Sequence, residues 1–226
     1  MNKNLMEPKK YIVVATIGFT IDFVMRRVSD LGRENVSRII AVSLDIGDES
    51  ARKRVEGTFN VISRFLLGMN IQPGLQFIQS GKSAISSCRK ILENAVSLSG
   101  NEGIVDLFLT GGSRVLVTSM LISALTLERN LAKKVQITSY GESFDTKFIM
   151  NVGQISAFIS LGETHRQILE EIKKIGKEDF SPSDIIQKLG IPKSTFYKKL
   201  DELRESGLIT RTNGRWVIAE GILDIL

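Results

Sequence analysis

The sequence contains a single cysteine, Cys88, and a single histidine, His165, among its 226 residues. One cysteine cannot form an intrachain disulfide, and these two side chains cannot complete the four-ligand set of a structural zinc site within one chain. A Ser-His-Asp triad would have to use His165, which lies far along the chain from the loops in which a nucleophile would be sought. We therefore expect no catalytic residue, no metal site and no cofactor, in a protein that is not an enzyme.

Apolar runs of membrane-spanning length are also missing. Residues 115–127 form the longest candidate, which is short and interrupted by Thr and Ser, whereas a spanning helix needs about 20 predominantly apolar residues. Residues 1–10 are polar and contain no apolar segment of the kind that a signal peptide needs. We expect a cytoplasmic protein without a membrane partner. Its net charge of +5 is a mild indication of a polyanionic partner.

The first two thirds of the chain alternate short apolar runs with amphipathic segments. The runs predict strands at 11–18, 37–44, 75–78, 103–109, 135–140 and 144–149. The amphipathic segments predict helices at 22–31, 48–67, 83–98 and 113–131. This alternation indicates an α/β, Rossmann-like, mostly parallel sheet with helices on both faces. The last two strands have no helix between them and are predicted to form a terminal strand hairpin.

The pattern changes from Gly162 onward. Three helices are predicted at 163–175, 181–189 and 192–206, followed by a strand hairpin over 208–218 around Asn213 and Gly214. This order is typical of a small winged helix-turn-helix domain. We therefore predict a Rossmann-like domain at 1–154, a linker at 155–162 and a winged helix-turn-helix domain at 163–226.

The third of these helices places Phe196, Leu200 and Leu203 at helical spacing on one face. Its exposed first turns are expected to enter the major groove of double-stranded promoter DNA, with the hairpin tip contacting phosphate or the minor groove. The predicted DNA-binding residues are Lys193, Ser194, Thr195, Tyr197, Lys198 and Lys199 on the helix, with Arg211, Asn213 and Arg215 on the hairpin.

The predicted DNA-binding surface is basic, although the domain that contains it has no net charge. Residues 163–226 carry 11 basic and 11 acidic side chains, but 193–215 carry six basic against three acidic. The net charge of +5 lies in residues 1–162, which carry 19 basic and 14 acidic side chains. The domain resembles the winged-helix domains of bacterial and archaeal one-component transcription regulators. The alternative is a winged helix that serves in protein docking or dimerisation.

The loop after the fourth strand, Thr110-Gly111-Gly112-Ser113-Arg114, has the composition of a phosphate-binding turn. Two glycines allow close backbone approach, Ser113 can cap the next helix, and Arg114 can pair with a phosphate. Neither a G-x-G-x-x-G nor a G-x-x-x-x-G-K-[ST] motif is present, which disfavours nicotinamide binding and ordinary ATP hydrolysis. The alternative is a tight turn with a surface arginine. Asp22 and Asp45 at the same edge could contact a ribose hydroxyl or cap a helix.

The loop Gly18-Phe19-Thr20 after the first strand, the TGGSR loop, the terminal strand hairpin and the winged helix together resemble archaeal CRISPR-associated regulators. Those proteins join a CARF (CRISPR-associated Rossmann fold) domain to a winged helix-turn-helix. The resemblance implies a homodimer whose two CARF domains bind a cyclic oligoadenylate through Gly18, Phe19, Thr20 and the TGGSR loop, with cyclic tetra-adenylate as the expected ligand. It also implies control of antiviral CRISPR adaptation genes or repeat-spacer arrays.

Two alternatives stay open within this interpretation. Some CARF domains slowly cleave their own cyclic ligand, and Arg114, Ser113 and Thr20 could serve such a ring nuclease. The protein could also be a regulator that senses another phosphorylated metabolite.

Overall fold

The computed structural model describes residues 11–19, 22–141, 146–175, 179–212, 214–219 and 221–222. Contacts within the chain divide it into two compact units, with the division between Val152 and Gly153. None of the helices in the described part of the chain has both the length and the apolar character needed to span a bilayer.

The first unit is built on one six-stranded sheet. Its strands are β1 (Tyr11–Thr16), β2 (Val36–Asp45), β3 (Gln72–Gln79), β4 (Ile104–Phe108), β5 (Val135–Tyr140) and β6 (Lys147–Asn151). They lie in the order β3-β2-β1-β4-β5-β6. All neighbours are parallel except β5 and β6, which are antiparallel. The predicted mostly parallel sheet and its terminal strand hairpin are confirmed.

Five α-helices and one short 3-10 helix (Arg33–Asn35) connect these strands. The α-helices are α1 (Asp22–Leu31), α2 (Glu49–Gly68), α3 (Ala84–Leu98), α4 (Arg114–Leu125) and α5 (Arg129–Ala132). In β1, Val13 and Val14 point to opposite faces of the sheet, and both are fully buried. Helices α1 and α2 cover the face of Val13, where their apolar residues join one core. The apolar strands of the sheet centre are therefore covered on both sides, as their β-branched composition predicts.

The single helix predicted over 113–131 is wrong. The chain leaves the helix at Thr126 and becomes extended at Glu128 before α5 begins. The hydroxyl of Thr126 donates to the carbonyls of Ile122, at 3.0 Å, and Ser123, at 3.1 Å. Such side-chain bonds to the backbone compete with helix continuation, so the segment forms two helices.

The strand order places the ends of β1 and β4 beside each other. From β1 the chain goes to β2 on one side, whereas β4 leads to β5 on the other. This reversal is a topological switch point, where open α/β sheets bind ligands beyond the carboxyl ends of the strands. The loops that follow β1 and β4 are thus brought to one edge of the sheet.

The second unit has a helical core closed by a small sheet. Its elements are α6 (Val152–Ile159), α7 (Glu163–Ile175), β7 (Asp179–Phe180), α8 (Pro182–Leu189), α9 (Lys193–Glu205), β8 (Ile209–Thr212) and β9 (Arg215–Ile218). The sheet order is β7-β9-β8, with antiparallel pairs. Helix α8 ends at Gly190, whose φ of 63° is left-handed and favours glycine. The predicted winged helix-turn-helix architecture is confirmed.

Two elements of this region are not predicted by the sequence pattern. Strand β7 has only two residues, too few for a detectable alternation. Helix α6 occupies most of the predicted linker, and Ala157, Phe158 and Leu161 pack against the core of the second unit. Residues 155–162 are therefore part of a packed segment in the structure.

Candidate ligand site and DNA interface

The loops after β1 and β4 touch through glycines. A Cβ atom added to Gly18 would lie 3.7 Å from the Cα atom of Gly112, and one added to Gly111 would lie 2.8 Å from the carbonyl oxygen of Thr16. Gly112 has a φ of +88°, which side chains other than glycine rarely adopt. The hydroxyl of Thr16 also donates to the carbonyl of Gly111 at 2.5 Å. The paired glycines therefore allow the β4 loop to lie against the end of β1.

Helix α4 begins at the exposed mouth of this junction. Ser113 is its N-cap, and its hydroxyl accepts a hydrogen bond from the backbone N–H of Leu116 at 3.3 Å. The free N–H groups of a first helical turn favour an anion. Arg114 is the first residue of the helix; its side chain is exposed and makes no hydrogen bond or ion pair with another described residue. The turn and this guanidinium are thus available to a phosphate.

Thr110 has a different role. It is half-buried, and its hydroxyl oxygen accepts a hydrogen bond from the backbone N–H of Tyr140 at 3.0 Å. This bond ties the β4 loop to the end of β5. Thr20, the remaining predicted residue of the ligand site, lies outside the described residues.

A cavity of about 580 Å³ opens beside the two loops. The loops after β1 and β4 contribute Ile17, Gly18, Phe19, Gly112 and Ser113 to its lining. The segment from the end of β2 into α2 contributes Ser43, Leu44, Asp45, Ile46, Asp48, Ala51, Arg52 and Val55. The other predicted residues of the β4 loop, Thr110, Gly111 and Arg114, are neighbours of Gly112 and Ser113 in the sequence but do not line the cavity. The cavity therefore has a third wall, from which the sequence singles out only Asp45.

The charged groups of this third wall are largely paired. Asp45 accepts from the backbone N–H of Gly47 at 2.9 Å and forms an ion pair of 3.3 Å with Arg52, which also pairs with Glu56. Asp48 caps α2 by accepting from the backbone N–H groups of the first turn. Because these carboxylates are engaged, an anionic ligand at the adjoining loop meets little uncompensated negative charge.

An aromatic ring stands at the rim of the cavity. Phe19 is 54% exposed, and the guanidinium of Arg54 lies 4.3 Å from its ring centroid. Exposed Ile46, which follows the end of β2, also lines the cavity. A planar group with attached phosphates fits this arrangement, since the apolar walls contact its faces and the glycine loop accepts its anion.

The structure describes most of the predicted DNA-binding surface. In α9, Phe196, Leu200 and Leu203 are buried as predicted. Of the predicted DNA contacts on this helix, five are exposed: Lys193, Ser194, Thr195, Tyr197 and Lys198. A row of hydroxyl and ammonium groups thus follows the first two turns of the helix.

Lys199 differs from its neighbours on α9. It is half-buried, and its ammonium donates to Oε2 of Glu202 at 2.9 Å, where Nε2 of His165 also lies at 2.8 Å. The hydrogen bond from Lys199 lowers the pKa of Glu202, and the contact with His165 lowers it further. The contact between His165 and Glu202 therefore joins α7 to α9, whereas Lys199 pairs with Glu202 within α9.

In the wing, Arg211 is exposed and donates to the carbonyl of Gly214 at 3.3 Å, with its guanidinium 5.7 Å from the ring of Trp216. Arg215 is also exposed. Asn213, predicted at the tip, lies outside the described residues. Two arginines therefore flank the described part of the hairpin turn.

Comparison with known structures found low sequence identity. Protein VC1899 from Vibrio cholerae has 18% identity and a TM-score of 0.40, with 95% of this chain and 63% of that chain covered. Enterococcus italicus Csm6 bound to cyclic hexa-2′-fluoro-hexa-dAMP has 9% identity and a TM-score of 0.49, with 88% and 54% covered. This chain thus spans between half and two thirds of each of those two proteins. No curated protein matches the chain.

Two family models match the chain. Residues 11–150 match the Csa3 CRISPR-associated Rossmann-like domain, and residues 163–212 match a helix-turn-helix domain. A CRISPR-associated Rossmann-like domain followed by a helix-turn-helix domain is the combination that the sequence resemblance predicts. The first match covers more than half of the chain, and the protein therefore belongs to the family of the Csa3 CRISPR-associated Rossmann-like domain.

Proposed function

We infer that the protein is a ligand-responsive transcriptional regulator of CRISPR-Cas genes that acts in the cytoplasm. Its winged helix would bind double-stranded promoter DNA, and its Rossmann-like unit would bind a cyclic oligoadenylate, with cyclic tetra-adenylate as the expected effector. The observation that carries this proposal is the cavity at the switch point, bordered by the Gly111–Gly112 loop, the N-terminus of α4 and the exposed ring of Phe19.

The two parts of the site favour two parts of one ligand. The backbone of the glycine loop, the first turn of α4 and Arg114 suit phosphate groups. The apolar cavity lined by Ile17, Leu44 and Val55 suits a nucleobase, since flat apolar surfaces gain free energy by leaving water. A nucleotide ligand satisfies both sets of groups.

Helix α4 supports a homodimer. Arg114 is its only charged residue, yet Val115, Leu121 and Ile122 are exposed. A helix that is apolar on all sides is normally covered. A second copy packed on this face would place two α4 N-termini around a two-fold axis, because such an interface uses the same surface on both chains. A symmetric cyclic ligand could then contact both sites, and its binding would bias the spacing of the recognition helices.

Titration calorimetry with cyclic tetra-adenylate should give one ligand bound per two chains. Arg114→Ala should weaken binding about 10- to 150-fold, because it removes hydrogen bonds to a charged group worth about 1.5–3 kcal/mol. Arg129→Ala, which removes an exposed arginine from the start of α5, is the matched control and should keep the wild-type affinity.

Each result of that titration has a clear meaning. Unchanged affinity in Arg114→Ala would contradict the phosphate site. Absence of binding to the wild-type protein would contradict the effector, and a thermal-shift panel of phosphorylated metabolites would then test the alternative. We propose sensing without catalysis, so the cyclic ligand should be recovered intact after long incubation; linear products would favour a ring nuclease.

Lys198→Ala should weaken binding to DNA that contains a CRISPR-Cas promoter. It should also lower the slope of log affinity against log salt concentration by about 0.9, the contribution of one phosphate contact. Lys199→Ala is the matched control on the same helix, and its effect should be smaller because Glu202 already pairs with that ammonium. Mobility-shift titrations at several salt concentrations measure both quantities. Equal slopes for the two variants would contradict the role assigned to Lys198.

A further inference from the structure

We propose that Arg27 is a positioning residue that fixes α1 against β4 and so holds the two ligand loops at their working separation. The proposal rests on the proposed function, because it assigns a role to a residue behind that same site. Helix α1 starts at Asp22, shortly after Phe19 of the first loop, and β4 ends at Phe108, shortly before Thr110 of the second.

Arg27 and Asp106 form a bidentate ion pair in the core. Nε of Arg27 lies 2.7 Å from Oδ2 of Asp106, and its Nη2 lies 2.9 Å from Oδ1. The two side chains are 1% and 0% exposed. A planar guanidinium that meets a carboxylate with two parallel hydrogen bonds has one preferred geometry, which fixes direction as well as distance.

The strand β5 completes this buried network. The hydroxyl of Thr138 donates to Oδ1 of Asp106 at 2.6 Å and accepts from Nη2 of Arg27 at 3.1 Å. The amide of Gln136 also donates to Oδ1 of Asp106, at 2.8 Å. Both oxygens of the buried carboxylate are therefore hydrogen-bonded, and one helix is joined to two neighbouring strands.

A second connection reaches the β4 loop itself. The hydroxyl of Tyr140 donates to Asp30 near the end of α1, while the backbone N–H of Tyr140 donates to Thr110. Burial raises the pKa of Tyr140 to about 12, and the hydrogen bond to Asp30 also raises it, so the phenol keeps its proton at neutral pH. Helix α1 is thus joined to the second ligand loop through one residue of β5.

An ion pair is not needed here for stability alone. Replacing a buried pair by apolar side chains of similar volume is often neutral or stabilising, because burial removes both charges from water. Apolar packing, however, tolerates small sliding of a helix along a sheet more readily than a two-bond ionic contact does. The polar network therefore contributes a defined position of α1, on which the shape of the cavity mouth depends.

The experiment separates position from stability. The triple variant Arg27→Met, Asp106→Leu and Thr138→Val removes the network together and leaves no buried partner unpaired among these three side chains. We expect it to fold with a thermal midpoint near that of the wild type. Hydrogen exchange at Gly18, Phe19 and Gly111–Ser113 should nevertheless become about 2- to 30-fold faster, and affinity for cyclic tetra-adenylate about 2- to 30-fold weaker.

The control removes an ion pair that is partly exposed to solvent. Arg89→Ala with Glu93→Ala deletes a partly exposed i,i+4 pair of α3 and should change neither exchange in the ligand loops nor affinity. Exchange in α2, measured in the same samples, should stay unchanged in the triple variant. Faster exchange throughout the unit would indicate a general loss of packing and would overturn the positioning role.

The remaining outcomes distinguish this proposal from the proposed function. If the wild type binds cyclic tetra-adenylate and the folded triple variant shows wild-type exchange and affinity, the positioning role is overturned and the function stands. If the wild type does not bind cyclic tetra-adenylate, the proposed effector is wrong. Hydrogen exchange in the ligand-free loops then tests the positioning role of Arg27 by itself. If the triple variant does not fold, Tyr140→Phe, which removes the hydroxyl that bonds to Asp30 and to Arg27, should accelerate exchange in the same loops; unchanged exchange overturns the proposal.

Discussion

Arg27→Ala is expected to lower the free energy of unfolding of the Rossmann-like unit by about 3–5 kcal/mol, as removal of one partner from a buried ion pair does. The substitution leaves the carboxylate of Asp106, which is 0% exposed, without its countercharge. Since small domains are stable by only about 5–15 kcal/mol, this loss is a large share of the total. Thr138 and Gln136 still donate to the carboxylate, but they carry no charge to compensate it.

Chemical denaturation can follow the two units separately. Trp216 is the only tryptophan, and it packs against the core of the second unit. Its fluorescence should therefore show an unchanged transition in Arg27→Ala, while far-ultraviolet circular dichroism shows a second transition at lower denaturant. Arg89→Ala, which breaks a partly exposed pair, should cost less than about 1 kcal/mol. A similarly small change in Arg27→Ala would show that the buried pair is not required.

The elements of the sheet could be predicted because their signals are local. The run at β1 is apolar and rich in β-branched residues as far as Thr16, and β2 contains the apolar run Ile39–Val42, as strands covered on both faces require. The ends of α8 and α9 are marked by Gly190 and Gly207, both with positive φ. Such features depend on neighbouring residues alone, so that a single sequence contains them.

The buried network could be predicted only in part. Arg27 follows Arg26 in the sequence, and nothing local distinguishes the buried arginine from its exposed neighbour. Its partner lies 79 residues away in β4. The available signal was Asp106 itself, a carboxylate in the middle of a strand predicted to be buried, which must find a cation or several donors.

The third wall of the cavity could be predicted only with knowledge of the strand order. Residues 43–55 border the site because β2 lies next to β1, so that the loop after β2 opens at the same edge as the loop after β1. The sequence predicts a parallel sheet without fixing which strands are neighbours. The β4 loop could be identified from its composition, whereas the β2 loop, with Asp45 and Asp48, resembles an ordinary helix start.

Gly111→Ala is expected to weaken binding of cyclic tetra-adenylate by about 5- to 150-fold, since overpacking costs about 1–3 kcal/mol. The added Cβ would lie 2.8 Å from the carbonyl oxygen of Thr16, a backbone atom that cannot rotate away. The loop must therefore move from the end of β1, and the bond from the hydroxyl of Thr16 to the carbonyl of Gly111 must lengthen or break. Both changes displace the start of α4, where the phosphates are expected to bind.

Gly57→Ala is the matched control, because its Cβ would meet nothing within 4 Å on the exposed side of α2. It should keep the wild-type affinity and raise the free energy of unfolding by about 1 kcal/mol, the helix-propensity difference between the two residues. Calorimetry and chemical denaturation on the same samples separate the local effect from a general loss of structure. Wild-type affinity in a folded Gly111→Ala protein would show that binding does not require the close approach of the β4 loop to the end of β1. The phosphates would then have to be bound by side chains and not by the backbone of this loop.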